Sequence, residues 1–134
     1  MKDRLTEALK RSTADYCEIR FETRDESSAS YRGTEIDSLG SSRYQGGIVR
    51  ACTKGGWGVS VFDTSEGLEE RVSEACKDAA LVGTEETQLA ETDGPRDVRI
   101  TADMVRDFRG IEFADKLKII TDYNDIILGM DSAI

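Results

Sequence analysis

Histidine is missing altogether from this 134-residue chain. A zinc site draws on Cys, His or carboxylate ligands at close spacing. A Ser or Cys nucleophile ordinarily needs an imidazole as its base. Three cysteines, Cys17, Cys52 and Cys76, stand far apart with no C-x-x-C pair, so clustered thiolates do not replace the absent imidazoles. Their odd, scattered set reads as free thiols in a reducing compartment, each placed in an apolar pattern that suits packing. No apolar run approaches the roughly 20 residues of a membrane span. The first residues, Met1 to Leu9, lack the apolar core of a secretion signal, so a cytoplasmic location is expected. Positive charge is also short: Lys and Arg number 18 against 27 Asp and Glu, for a net charge of -9. Duplex binding is driven by neutralising phosphates. Nucleic acid and anionic membrane are therefore not expected partners.

What is present suffices for one domain of ordinary size. Hydrophobic residues make up 38% of the chain, too many for a wholly disordered one. Leu5, Ala8 and Leu9 make an apolar stripe, predicting a helix over Lys2–Ser12 with Asp3 capping its start. From Tyr16 to Thr23 the pattern alternates. Cys17, Ile19 and Phe21 point one way and Glu18, Arg20 and Glu22 the other, the signature of a half-buried strand. Asp25 to Ser28 reads as a turn, Ala29–Arg32 as a second strand and Glu35–Leu39 as a third, with Gly40-Ser41-Ser42 as a break. Gly47–Cys52 and Trp57–Phe62 form the strongest hairpin, turned by Lys54-Gly55-Gly56. Trp57, Val59 and Val61 share one face. Gly58 and Ser60 leave the other face thin, which implies close packing or a bend there.

Leu68, Val72, Ala75, Cys76 and Ala79 keep helical spacing. Thr64-Ser65 is placed to cap that helix, Glu66, Glu69 and Glu70 sit at its positive end, and Gly83 is placed to end it. Between Asp63 and Asp97 eleven acidic residues face three basic ones, making an acidic, solvated surface. Ala102–Phe108 predicts a helical turn or two. Glu112–Met130 predicts a longer helix. Its Phe113, Leu117, Ile120 and Ile127 lie on one line and Ile119, Tyr123, Ile126 and Met130 on the next, which implies a wide buried face. The expected architecture is α+β: an antiparallel sheet of four or five strands covered by helices, with a further C-terminal helix. Residues 1–83 form the expected sheet-and-helix core, 84–97 a polar linker loop and 98–134 a helical C-terminal segment, read as cut from a longer protein.

The chemistry-bearing patterns are few. Asp122-Tyr-Asn-Asp125 lacks the central glycine of a calcium loop and falls in a helix. Gly55-Gly-Trp-Gly58 is not followed by the Lys-Ser or Lys-Thr, or by the helix, of a phosphate loop. Neighbouring carboxylates such as Glu69-Glu70 arise by chance among so many. No catalytic, cofactor-binding or metal-ligating residue is therefore assigned.

One ordered set of segments does stand out. Ala14-Asp15-Tyr16 opens a strand. Tyr31-Arg32-Gly33 leads to Glu35-Ile36-Asp37-Ser38. Gly46-Gly47-Ile48-Val49-Arg50 and Gly56-Trp57-Gly58-Val59 follow, and Phe113 to Asp125 closes the series. This order resembles the N-terminal domain of the TldD/PmbA metalloproteases, also called the modulator of DNA gyrase family. The resemblance implies a two-domain cytoplasmic parent that forms homo- or heterodimers and cleaves unfolded peptides, gripping them through their backbone as an added strand. It implies zinc in a C-terminal domain, on a His-Glu-x-x-x-His helix and a later cysteine. None of those ligands has a matching position here, so no zinc or other cofactor is expected in this chain.

Two functions follow as expectations. One is an N-terminal, non-catalytic domain of such a peptidase, shaping the peptide chamber and the subunit interface. Its partners would be its own C-terminal domain, a related subunit and an unfolded peptide. The other is a free-standing protein- or peptide-binding module without enzymatic activity. On either, the hairpin Gly47–Phe62 is the expected contact, with Arg50 and Lys54 able to meet acidic groups and Trp57 reading first as a core residue and second as a contact.

Overall fold

The computed structural model describes residues 1–86, 88–91 and 97–130. It contains α1 (Lys2–Leu9), β1 (Tyr16–Arg32), β2 (Glu35–Thr53), β3 (Gly56–Phe62), α2 (Leu68–Val82), a 3-10 turn (Phe108–Gly110) and α3 (Phe113–Met130). The three strands make one sheet in the order β1-β2-β3, so the expected α+β class holds with three strands among the described residues. The expected count of four or five is corrected. The strands read separately as Tyr16–Thr23 and Ala29–Arg32 are one strand, and so are Glu35–Leu39 and Gly47–Cys52. The polar stretches between them are extended strand, not the expected turn and break. Ser27 in one and Ser41 in the other pair across the ladder with hydroxyls 3.3 Å apart, as do Ser30 and Ser38 nearer the turn at 2.7 Å. Polar cross-strand pairs satisfy one another and let an extended strand continue through hydrophilic sequence.

The chain divides into two compact units. The first holds Met1–Arg24 and Tyr44–Pro95, the second Asp25–Arg43 and Arg96–Ile134. In the described residues of the expected linker, 84–86, 88–91 and 97, there is no helix or strand. The remainder of that stretch, with Pro95, and the last four residues lie outside the described residues.

The first unit has a dry core. Ala8, Val49, Ala51, Leu68, Val72, Ala75, Cys76 and Ala79 form one buried cluster, with Leu5, Ala14, Cys17, Ile19 and Phe62 packed against it. β2 and β3 pair antiparallel, Val49 opposite Ser60 and Ala51 opposite Gly58. α2 lies on this face at backbone distance. A Cβ on Gly58 would stand 2.0 Å from the Ala75 carbonyl oxygen and 2.4 Å from the Ala79 nitrogen. A Cβ on Gly56 would meet the Ala79 oxygen at 2.4 Å. The thin face read from Gly58 and Ser60 is thus the seat of α2. Ser60, itself buried, donates from its hydroxyl to Glu74 Oε2 at 2.6 Å. That bond holds the Glu74 carboxyl below its ordinary value, with Arg71 assisting.

Helix ends depart from expectation in detail. α1 stops at Leu9, and its N-cap is Met1 without a side-chain bond, so Asp3 lies inside the first turn and does not cap. α2 is entered through Gly67, whose φ of 64° is left-handed, and Ser65 instead accepts from Arg4 Nη1 at 2.8 Å. Gly83 does close α2, its N–H donating to the Ala79 carbonyl at 3.0 Å. Residues 102–107 are not helical. The turn comes later, at Phe108–Gly110, where the Arg109 N–H bonds the Asp107 carboxylate.

In the second unit α3 meets the β1–β2 ribbon through polar contacts. Asn124 donates to the Gly33 carbonyl at 2.9 Å, the Tyr31 and Thr121 hydroxyls lie 2.7 Å apart, and Lys116 Nζ donates to Ser27 Oγ at 3.1 Å. Arg43 pairs with Asp25 at 3.1 Å. No residue of α3 is buried, which overturns the wide buried face expected from its two apolar lines. Phe113, Leu117 and Ile120 are half-buried, whereas Ile119, Tyr123, Ile126, Ile127 and Met130 are exposed.

Candidate interaction face on the β2–β3 hairpin

The hairpin turns at Lys54 and Gly55, whose φ values of 46° and 77° are both left-handed. Two successive positive φ values match the twist of the flanking strands, and a Lys-Gly pair tolerates them at modest cost. The turn is pinned from outside, because the Lys54 N–H donates to Asp15 Oδ2 at 2.9 Å and its carbonyl accepts from the Glu85 N–H at 3.0 Å.

Side chains alternate across a sheet, so the residues beside those facing α2 point away from it. Register places Cys52 opposite Trp57, Arg50 opposite Val59 and Ile48 opposite Val61. This outward face carries exposed apolar surface along β3: Trp57 is 40% exposed, Val59 48% and Val61 69%. The expectation that Trp57 belongs to the core is therefore corrected. The face it shares with Val59 and Val61 is the one α2 does not cover. Cys52 is nevertheless buried, in the row between Arg50 and the turn.

Arg50 and Trp57 come together. The Arg50 guanidinium lies 4.7 Å from the centre of the Trp57 ring, an attractive cation–π placement. The same guanidinium pairs with Glu18 at 3.0 Å. Tyr16 packs edge-on to Trp57 with ring centres 6.0 Å apart, and its hydroxyl donates to Glu18 Oε2 at 2.9 Å. That bond to a carboxylate, aided by burial, raises the Tyr16 phenol above its ordinary value. Tyr16, Glu18, Arg50 and Trp57 thus close a ring of contacts on the outward face. Arg50, expected to meet acidic groups on a partner, already meets one of its own. Lys54 is exposed at the turn and stands apart from this group.

Tyr16 and Glu18 were not among the residues singled out from sequence. The signal was there: with β1 and β2 taken as one long hairpin, Glu18 falls opposite Arg50. Splitting the strands hid it.

Among the described residues no three His, Cys, Asp or Glu side chains converge as ligands, and zinc would need three or four. No helix among the described residues is long and apolar enough to cross a membrane.

Residues 17–79, which contain the whole hairpin and most of α2, match PmbA/TldA metallopeptidase domain 1. The chain belongs to the TldD/PmbA family. It is 36% identical over 123 residues to a metalloprotease of Synechocystis sp., a match covering 92% of this chain and 27% of that protein. It also resembles TldE from Thermococcus kodakarensis, with a TM-score of 0.71 at 18% identity over 98% of this chain and 30% of the TldE chain. At that identity the second likeness speaks for the fold alone. The chain spans less than a third of the length of either of these proteins.

Proposed function

We propose that this chain is the non-catalytic N-terminal domain of a TldD/PmbA-like zinc metallopeptidase that acts on unfolded peptides, and that it shapes the peptide chamber and the subunit interface. The observation that supports this reading is the two-sided hairpin. One side is sealed by α2 at backbone distance, and the other offers Trp57, Val59 and Val61 along β3, the last strand of the sheet among the described residues. An edge strand with an exposed apolar face suits addition of an extended backbone, whose hydrogen bonds tolerate many sequences. On this reading the zinc is held by a C-terminal domain outside these residues. The parent works as a homo- or heterodimer in the cytoplasm, and gyrase is not a direct partner of so acidic a domain.

Trp57 is the single tryptophan of the chain, so its emission reports this face without a label. Titrating the chain with a tryptophan-free unfolded peptide is expected to shift that emission saturably. The same mixture with zinc is expected to leave the peptide intact. Zinc-dependent cleavage by this chain alone would overturn the non-catalytic assignment. Unchanged emission at saturating peptide would overturn the proposed contact face.

A further inference from the structure

One face of the second unit gathers positive charge in a chain whose net charge is -9. Side chains alternate along a strand, so Asp25 and Ser27 of β1 share a face, as do Ser41 and Arg43 of β2. Arg109 of the 3-10 turn and Lys116 of α3 join them in lining an open cleft of about 300 Å³. Glu26 also lines it, but alternation puts its side chain on the other face of β1, and its carbonyl accepts from the Ser41 hydroxyl at 3.2 Å.

The three cations have donors to spare. Arg109 spends Nε and Nη2 on the Asp107 carboxylate, and its Nη1 stands 3.9 Å from Asp25. Arg43 Nε pairs with the same Asp25 at 3.1 Å. The Lys116 ammonium is half-buried, 5.3 Å from the centre of the Phe108 ring, and donates to Ser27 Oγ at 3.1 Å. No carboxylate pairs with it among the described residues. An ammonium has three N–H donors, and Ser27 takes one. Ser41 gives its proton to Glu26, so the Ser27 hydroxyl, 3.3 Å away, gives its own to Ser41. Hydroxyl and carbonyl oxygens are thus committed within the ribbon, while Lys116 and the two guanidiniums keep N–H groups for something else. A partly desolvated cation without a counter-charge is costly, and an anion in the cleft removes that cost.

We propose that this cleft binds a small oxyanion, a carboxylate or a phosphate group. Lys116 and the unspent N–H groups of Arg43 and Arg109 are its ligands, and Asp25 and Asp107 are positioning residues for the two guanidiniums. Guanidinium forks match the paired oxygens of either group, and the ammonium adds a point charge. The acidity of the rest of the chain keeps long polyanions away, so the cleft takes a single group. The site lies within the second unit and stands independently of the peptide contact on the hairpin.

The test follows amide resonances of the isotopically labelled chain at fixed pH and ionic strength. Chloride is replaced by inorganic phosphate in one arm and by N-acetylglycine, a mimic of a peptide carboxyl end, in the other. Shifts at Ser27, Arg109 and Lys116 that saturate in the millimolar range in either arm are expected, and the arm that saturates first names the group. Lys116→Met keeps the stem beside Phe108 and removes the charge. It is expected to weaken binding about tenfold, the worth of a charged hydrogen bond. Lys118→Met makes the same change on the exposed side of α3 and is expected to leave binding as it was. Circular dichroism checks that both variants fold, and the titration of the unaltered chain decides independently of them. Absence of saturation in both arms overturns the proposal. So does undiminished binding in folded Lys116→Met, or an equal loss in Lys118→Met.

Discussion

The two units hold together by different means. The first has a dry cluster in which Val49, Ala51, Val72, Ala75 and Ala79 are fully excluded from water, and a helix seated on strand backbone. The second joins a helix to a two-stranded ribbon through hydroxyls, an amide and an ammonium, with no buried residue among those described. Burying apolar surface supplies stability without direction, whereas each hydrogen bond nets only about 1 kcal/mol but fixes register. The first unit should therefore be the more stable body. The second should be the first to open, since polar contacts at an accessible surface exchange with water.

The comparison breaks most decisively at Gly58. Gly58→Val drives side-chain atoms into the main chain of α2 and is expected to cost about 3 kcal/mol, read as a lower urea midpoint. A loss under about 0.5 kcal/mol would mean that α2 does not lie where described. Its neighbour on the opposite face supplies the control. Trp57→Ala is expected to cost at most about 1 kcal/mol of stability, because it removes a half-exposed ring and one cation–π contact. The same change is expected to weaken peptide binding about tenfold by calorimetry, as loss of a central aromatic anchor does. In the second unit Asn124→Ala removes the bond to the Gly33 carbonyl. It should destabilise by about 1 kcal/mol, seen as faster amide exchange in α3 and not in α2.

The smallest effect is one of pH. The side-chain and backbone bonds from Arg109 hold the Asp107 carboxyl at about 2, against an ordinary 3.8. A depressed carboxyl contributes stability that is present above its unfolded value and lost as pH falls through the folded one. Acid titration should therefore loosen the Phe108–Gly110 turn between about pH 4 and pH 2, by an amount that salt screening keeps small. Asp107→Asn should remove that pH step, and an unchanged acid transition in the variant would refute the assignment.

The more apolar unit was also the more legible one. Alternation in Cys17, Ile19 and Phe21 and helical spacing from Leu68 to Ala79 gave β1's inner face and α2, because burial imposes period on sequence. Gly58 and Ser60 gave away the seat of α2. Polar strand was harder to recognise. Ser27, Ser30, Ser38 and Ser41 carry no apolar period, and their pairing is visible only once the partner strand is known. That error split two long strands into four and hid the Glu18–Arg50 pair. Trp57 was misplaced for a related reason: an alternating strand announces two faces, but not which of them a helix will cover. The apolar stripe of α3 was read as buried on the same logic.

Close seating of α2 on β3 has a genetic consequence. What a side chain at Gly58 would strike first, ahead of the Asp78 Cβ, is the Ala75 carbonyl and the Ala79 amide, atoms that every residue possesses. No replacement of Ala75 or Ala79 can make room, so a suppressor of a bulky change at Gly58 should never map to the helix face that suffers the collision. It should arise where the helix is aimed, in α1 or at Gly67, by tilting the whole rod away from the strand.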